Sequence, residues 1–288
     1  MSVYRQERLI KWFENLINFN LVLIYFFKTI RNPRELIQRK AISNKLVIIG
    51  TGPSVNSDIN NLLSDRDRNH YMVLNSLALS DLFLSLRPEY YVFVDPLFFT
   101  PFKERTNKVD STIKRISTEV NWPMKLIVPK RYSKSSTISE LRENKCISFE
   151  FFSYKPIIGG TMGVSANLFS LGLASPHFKN VLVASIYYGI LLGYRNLNIF
   201  GADHSWHEEM RLNNNKTLEI SDRQFYSGDV NWIVQNENKD KSLRPKVKLK
   251  RISEVLESYD YLELYAKKRN VEIRNLSSKS WIDNFKNS

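Results

Sequence analysis

Residues 45–57 read KLVIIGTGPSVNS, and this stretch decides the fold. After the lysine, four apolar residues in a row are typical of a buried strand. Two glycines follow, and the segment SDINNLLSD at 57–65 has the pattern of a helix. A strand, a glycine turn and a helix in this order predict the first unit of an α/β fold.

The same alternation continues along the chain. Apolar runs at 71–74 (YMVL), 90–94 (YYVFV) and 125–128 (KLIV) each lie near helix-compatible sequence. The segment 179–194 has the length and apolar density of a buried helix, and LNIF at 197–200 predicts a strand. A helix from about Ser253 to Arg269 and a strand from Val271 to Arg274 end the pattern. We therefore expect a Rossmann-like α/β fold, with a mainly parallel sheet flanked by helices and an N-terminal helical extension.

Length and composition indicate one large domain with additions. The chain has 288 residues, of which 43% are hydrophobic, so it can bury a large core. We expect an amphipathic helical segment at 1–40 and a Rossmann-like domain at 41–288, with a polar, lid-like insertion at about 207–250. The single cysteine, Cys146, excludes an intramolecular disulfide and suits a reducing compartment. With four histidines we expect no structural metal.

The net charge of +13 predicts an anionic partner. No recognition signature for RNA or DNA is present, so we expect no nucleic acid. The apolar run 16–27 (LINFNLVLIYFF) is shorter than the roughly 20 residues that span a bilayer. Basic residues flank it: Arg5, Arg8, Lys11, Lys28, Arg31, Arg34, Arg39 and Lys40. The segment either lies on the inner face of the inner membrane or docks on the core, and the sequence leaves both open.

The first motif with chemical potential is the turn Gly50-Thr51-Gly52-Pro53-Ser54. Glycines let the backbone approach a ligand, and the following helix offers free N–H groups to a phosphate. The alternative is an ordinary turn with Ser54 or Ser57 as helix N-cap. Neither the lysine of a Walker A loop nor the third glycine of the dinucleotide fingerprint is present, which disfavours both of those sites.

Polar residues follow two further predicted strands. Asn75 and Ser76 come after YMVL, and Asp95 comes after YYVFV. The carboxyl ends of parallel strands meet at one crevice, so these residues are candidates for the same nucleotide site. Alternatively, Asn75 caps a helix and Asp95 shapes the turn before Pro96. Asn180 opens the predicted buried helix as its N-cap, with or without a phosphate nearby.

Two other motifs remain open in the same way. GADHSWH at 201–207 places Asp203, His204 and His207 at a strand end, and buried groups of this kind need partners. We take His204 as the candidate general base because histidine titrates near neutral pH; the alternative is a surface turn. GGTMG at 159–163 is either an anion-accepting helix start or a flexible connection.

Taken together, GTGPSV (50–55), LNS (74–76), FVDP (93–96) and LLGYRNLNIFGADHSW (191–206) resemble the bacterial sialyltransferase family that decorates lipooligosaccharide. The chain is also similar to the related group named after the archaeal 6-hydroxymethylpterin diphosphokinase, including at 266–285. The resemblance covers roughly residues 45–285. It departs from the sialyltransferases at Thr51, at Asp95 and at Asn180-Val181-Leu182, and no histidine beyond His207 matches their general base.

The resemblance implies a glycosyltransferase of bacterial surface-polysaccharide synthesis that uses a CMP-activated sugar. The turn 50–54, Asn75, Ser76, Asp95 and Asn180 would bind the nucleotide, with His204, Asp203 and His207 as catalytic candidates. The implied partners are a nucleotide-sugar donor and a glycan or lipid-linked glycan acceptor, in the cytoplasm, and no cofactor is required. The runner-up is a pyrophosphokinase-like phosphotransferase with Mg²⁺ on Asp95 and Asp203, and the third reading is a non-catalytic membrane-associated scaffold.

Overall fold

A computed structural model describes residues 42–64, 66–157, 162–170, 173–221, 224–225, 232–235 and 244–287, and the single residues Trp12, Phe13, Leu16, Asn20 and Leu23. Its centre is an eight-stranded sheet with the order β11-β10-β6-β1-β2-β3-β4-β5. Every pairing in this sheet is parallel. The expected Rossmann-like α/β fold is confirmed.

The strands of the large sheet are β1 (Lys45–Ile49), β2 (Asn69–Leu74), β3 (Tyr90–Val92), β4 (Met124–Pro129), β5 (Ile147–Phe152), β6 (Asn196–Phe200), β10 (Glu272–Asn275) and β11 (Lys286–Asn287). A separate antiparallel sheet contains β7 (Met210–Leu212), β8 (Leu218–Ser221) and β9 (Trp232–Val234). The helices are α1 (Val55–Ser64), α2 (Asp81–Leu86), α3 (Asn107–Glu119), α4 (Ser136–Leu141), α5 (Met162–Ser170), α6 (Val181–Leu191) and α7 (Pro245–Lys268).

The core lies on both faces of the large sheet. In β1, Leu46 and Ile48 point into a cluster with α5, α6 and α7, whereas Val47 and Ile49 point into a cluster with α1 to α4. Alternation of this kind is the two-residue period of a strand, and here both faces are apolar because helices cover both. The result is a three-layer arrangement that holds the strand ends in place.

The position of β1 decides where a ligand can bind. β1 pairs with β2 on one side and with β6 on the other. The strands β2 to β5 therefore follow toward one edge of the sheet, and β6, β10 and β11 follow toward the other. At such a switch point the loops beyond the carboxyl ends separate and leave a crevice. The glycine turn after β1 and the GADHSWH segment after β6 therefore lie on the two sides of one opening.

Several elements differ from the expectation. β5 and β11 were not predicted; they are the edge strands of the sheet. α7 begins at Pro245, eight residues earlier than expected, because its first turns are polar and contribute little to the core. A proline at the first helical position is itself a start signal. The polar segment expected as a lid-like insertion contains the small antiparallel sheet.

Most of the N-terminal segment lies outside the described residues, as do residues 159–161 of the second glycine motif. Trp12, Phe13, Leu16 and Leu23 are helical and exposed. No helix within the described part of the chain is both long enough and apolar enough to cross a bilayer.

Candidate functional site

A cavity of about 250 Å³ opens at the switch point, above the carboxyl ends of β1, β2 and β6. It is lined by Gly50, Thr51, Gly52, Pro53, Leu74, Asn75, Asn180, Val181, Leu182, Gly201, Asp203, His204, Ser205, Trp206, Glu209 and Gln224. Four separate segments that the sequence singled out, those around 50, 75, 180 and 203, therefore meet in one place. This convergence makes the cavity the candidate functional site.

The two glycines of the first turn are required by the neighbouring strand end. A Cβ on Gly50 would lie 2.3 Å from the carbonyl oxygen of Gly201, and a Cβ on Gly52 would lie 2.3 Å from the Asp203 carboxylate. Backbone hydrogen bonds also join Gly50 to Phe200 and Gly52 to Gly201. The backbone after β6 is therefore one reason for glycine at both positions, and their close approach to a ligand stays a prediction.

Asp203 holds this turn in place through Ser54. The Ser54 backbone N–H donates to one carboxylate oxygen at 2.9 Å, and the Ser54 hydroxyl donates to the other at 2.5 Å. Both residues are buried. Burial raises the pKa of Asp203, while the two hydrogen bonds from Ser54 act in the opposite direction. Ser54 thus uses its hydroxyl on Asp203 instead of capping α1, and a catalytic role of Asp203 stays a prediction.

Two non-glycine residues in the cavity have left-handed backbone conformations. Asn75 has φ 52° and His204 has φ 54°. Such conformations are uncommon outside glycine and persist where the surroundings hold them. The Tyr91 hydroxyl does this for Asn75, since it donates to the Asn75 carbonyl at 2.6 Å and accepts from the Ala78 N–H at 3.1 Å. The structure therefore presents Asn75 to the cavity from a strained turn.

His204 belongs to a buried polar network. Its Nε2 lies 2.6 Å from the Tyr259 hydroxyl and 3.1 Å from Nδ2 of Asn180. Oδ1 of Asn180 accepts the N–H of Val183 at 2.9 Å as the N-cap of α6, so its Nδ2 is the donor toward His204 and Tyr259. Nε2 is then the acceptor, and the ring hydrogen of the neutral imidazole is on Nδ1.

This environment limits the chemistry of His204. Burial lowers the pKa of His204 to about 3, so the imidazole is neutral near pH 7. The ring also lies against Trp206, with centroids 4.3 Å apart. Since the lone pair of Nε2 already accepts a hydrogen bond, His204 is arranged to orient Tyr259 and Asn180. Its role as general base stays a prediction.

Other predicted residues lie apart from this cavity. His207 is not among the lining residues and contacts Trp281 instead, with ring centroids 4.2 Å apart. Ser76 is buried and lies outside the lining set. Asp95 is exposed and accepts the Leu97 N–H at 2.9 Å in the turn after β3, and it lines a second cavity.

The structure adds residues that the sequence did not single out. Tyr259 on α7 reaches His204 from 55 positions away. Trp206, Glu209 and Gln224 line the cavity from the chain after β6. Trp206 lies within the GADHSWH motif, so its position in the sequence could have identified it as a lining residue. No local pattern distinguishes Tyr259 from the other tyrosines of α7, because its role depends only on how that helix packs against α6.

The phosphotransferase alternative assigns Mg²⁺ to the carboxylates of Asp203 and Asp95. Both oxygens of Asp203 are engaged by Ser54, and Asp95 lines the other cavity. Within the described ranges, no three His, Cys, Asp or Glu side chains form a group that could hold a metal ion. The two carboxylates that the phosphotransferase alternative requires therefore line different cavities.

Comparison with known proteins supports the fold. No sequence-family profile and no curated protein sequence matches this chain. The structure is similar to a solved structure described as the MAf glycosyltransferase from Magnetospirillum magneticum AMB-1, with a TM-score of 0.51 and 14% sequence identity. The match covers 91% of this chain but 38% of that protein. At this level of identity the similarity shows a related fold.

Proposed function

We propose that this chain is a glycosyltransferase that transfers a sugar from a nucleotide-activated donor to a glycan or lipid-linked glycan of a bacterial surface polysaccharide. The observation that carries the proposal is the polar cavity at the switch point between β1 and β6, where the glycine turn, Asn75 and the start of α6 converge. Ligands of open α/β sheets bind in this position. The similarity in fold to a glycosyltransferase supports the same class of reaction.

In this proposal the donor phosphate binds at the N-terminus of α6. Val181 and Leu182 line the cavity at the first turn of the helix, where N–H groups have no partner inside the helix. Asn180 accepts the N–H of Val183. The N–H groups of Val181 and Leu182 are the donors that we assign to the phosphate. A phosphate there gains both hydrogen bonds and the favourable end of the helix dipole.

The base and sugar of the nucleotide are assigned to the opposite wall. The turn 50–53 and Asn75 supply backbone and amide groups on that side of the cavity. We propose a cytidine nucleotide as donor, with a sialic or other nonulosonic acid as the sugar, on the basis of the sequence resemblance. Catalysis would then come from holding donor and acceptor in line and from stabilising the departing phosphate at the helix N-terminus.

The insertion after β6 covers part of the cavity in this proposal. Gln224 lines the cavity, and the N–H of Phe225 donates to the Thr51 carbonyl at 3.1 Å. The Asn56 side chain donates to the Phe225 carbonyl at 3.0 Å. These contacts tie the insertion to the glycine turn, so nucleotide binding at the turn and the position of the insertion are coupled.

We also propose that the N-terminal segment binds the inner face of a membrane. On an ideal helix with 3.6 residues per turn, positions 12, 16 and 23 fall within an arc of about 40°. The side chains of Trp12, Leu16 and Leu23 are exposed. An exposed apolar stripe between basic flanks matches an interfacial helix. Such an enzyme would meet a lipid-linked acceptor at the membrane surface.

Nucleotide binding tests the proposal directly. Thermal unfolding would be followed with CMP, UMP, GMP, AMP and ATP, each with and without Mg²⁺, because a ligand that binds the native state raises the apparent stability. Stabilisation by CMP without Mg²⁺ is the expected result. Mg²⁺-dependent stabilisation by ATP would replace the proposal with the phosphotransferase, and no response to any nucleotide would favour the scaffold.

A further inference from the structure

A second cavity of about 530 Å³ adjoins the first and has no assigned role. It is lined by Asn75, Val94, Asp95, Pro96, Pro129, Arg131, Tyr154, His177, Phe178, Lys179, Asn180 and Val181. Asn75, Asn180 and Val181 line both cavities, so the two are lobes of one cleft separated by the start of α6. A donor phosphate at that helix N-terminus would lie on the boundary between the lobes.

The charges of the second lobe favour an anion. The Arg131 guanidinium lies 4.7 Å from the centroid of the Tyr132 ring and, among the described residues, has no carboxylate partner. Lys179 pairs with Glu254 of α7 at 2.7 Å, and both side chains remain about one-third exposed. Asp95 is the one carboxylate of the lining, and it already accepts the Leu97 N–H. Among the residues that line this lobe, Arg131 is therefore the one whose positive charge is not paired with a carboxylate.

His177 adds a neutral donor to this lobe. Its Nδ1 is buried and has no hydrogen-bond partner. A buried lone pair without a partner is less costly than a buried N–H without one, so the ring hydrogen belongs on Nε2. Burial, reinforced by the nearby Lys179, lowers the pKa of His177. The imidazole is thus a neutral Nε2–H donor at physiological pH.

The remaining lining is apolar and partly aromatic. Tyr154 and Phe178 stack with centroids 4.9 Å apart, and the Tyr154 hydroxyl accepts the Phe178 N–H at 3.2 Å. Val94, Pro96 and Pro129 complete this wall. A sugar ring, with apolar faces and polar edges, suits a lobe that combines an aromatic wall with a few directed polar groups.

We infer that the second lobe is the acceptor subsite and that it takes a sugar bearing a phosphate or a carboxylate, with Arg131 as the residue that selects the anionic group. This inference rests on the proposed function, because it treats the first lobe as the donor site. The acceptor would enter between the α6 N-terminus and the turn after β4 that carries Arg131. Its hydroxyl would then face the donor across Asn75 and Asn180.

Binding by isothermal titration tests the inference with defined probes. Glucose 6-phosphate, glucuronate and glucose would be titrated into the intact protein, and CMP would be titrated separately. We expect one or both charged sugars to bind and glucose to bind at least tenfold more weakly. Comparison of the first two probes tells whether the lobe prefers phosphate or carboxylate.

Two variants of one turn give the matched comparison. Arg131→Ala removes the proposed contact, and Lys130→Ala removes an adjacent exposed charge that does not line the cavity. Because a charged hydrogen bond is lost, Arg131→Ala should bind the charged sugar at least about tenfold more weakly than the wild-type protein does. Lys130→Ala should change the affinity for the charged sugar by less than about twofold, since a screened surface charge has little effect. CMP affinity should be the same in both variants.

The outcomes separate the two proposals. Equal weakening by both substitutions, or charged-sugar binding that does not depend on Arg131, would overturn the subsite while CMP binding still stands. Absence of charged-sugar binding to a protein that binds CMP would overturn it as well. Absence of CMP binding, with Arg131-dependent binding of a charged sugar intact, would instead remove the donor assignment of the first lobe.

Discussion

The carboxylate of Asp203 receives two hydrogen bonds from Ser54, which is 149 positions earlier in the chain. This contact joins the turn after β1 to the segment after β6 at the mouth of the candidate site. It also explains why the GADHSWH motif carries an aspartate at a buried position.

Removal of the Asp203 carboxylate should destabilise the protein. Asp203→Ala leaves the buried Ser54 N–H without an acceptor, which costs about 1–3 kcal/mol of unfolding free energy. Ser54→Ala removes one hydroxyl hydrogen bond and should cost about 1 kcal/mol. Urea denaturation of both single variants and the double variant measures the coupling. Strictly additive effects would show that the contact does not stabilise the fold.

Gly52 should not tolerate even one added methyl group. Gly52→Ala would place a Cβ 2.3 Å from the Asp203 carboxylate, so we expect a loss of more than about 1 kcal/mol in unfolding free energy. Gly163→Ala is the control, because a Cβ there meets nothing within 4 Å and lies in helix α5. That change should be neutral or stabilising, by up to about 1 kcal/mol. Equal stability of the two variants in thermal unfolding would contradict the packing argument.

His204 should make the protein less stable in acid. Its folded pKa of about 3 is below the ordinary value of 6.5, so the unfolded chain binds a proton that the folded chain does not between these two pH values. Stability from this group is fully present above pH 6.5 and is lost as pH falls toward 3. The expected slope is about 1.4 kcal/mol per pH unit.

His204→Asn should remove the part of this slope that His204 contributes, since asparagine tolerates the left-handed backbone and has no titrating group. The part from His177, whose pKa burial also lowers, should remain. Tyr259→Phe is the control: it keeps the imidazole buried and should retain the full slope. Denaturant unfolding between pH 4 and 8 measures both. An unchanged slope in His204→Asn would assign the acid sensitivity to another group.

Kinetics distinguish a positioning role of His204 from a base role. If His204 and Tyr259 together orient Asn180, then His204→Asn and Tyr259→Phe should lower kcat/KM by similar factors, below about 10²-fold. Loss of a general base typically costs about 10²- to 10⁴-fold. A loss of that size in His204→Asn alone, with Tyr259→Phe near wild type, would establish the base role predicted from the sequence. His207→Ala should have little effect in either case, because His207 does not line the cavity.

The N-terminal segment should confer binding to anionic membranes. Sedimentation with vesicles of anionic and neutral phospholipid should recover the full chain and not a variant lacking residues 1–40. Added salt should weaken binding by screening the basic flanks. A matched variant with Trp12, Leu16 and Leu23 changed to serine keeps the charges and should bind less than the full chain. Equal sedimentation of all three proteins would indicate that the segment docks on the core.

The sequence by itself determined the fold class and most of the strand positions. Apolar runs such as 45–49 and 197–200 are local signals, and the parallel sheet follows from their alternation with helices. The strand ends also predicted the position of the site, because the motifs after β1, β2 and β6 meet at one crevice. Asn180 was identified as an N-cap for the same local reason.

The contacts that each side chain makes at that crevice depend on the tertiary structure. Asp203 and His204 are adjacent in sequence, yet Asp203 bonds to Ser54, far earlier in the chain, and His204 bonds to Tyr259, far later in the chain. Gly52 lies against Asp203, and Arg131 shares a cavity with His177, through the packing of distant elements. Burial, pKa and hydrogen-bond partners depend on the neighbours in space, and local sequence patterns carry no information about neighbours that are far away along the chain.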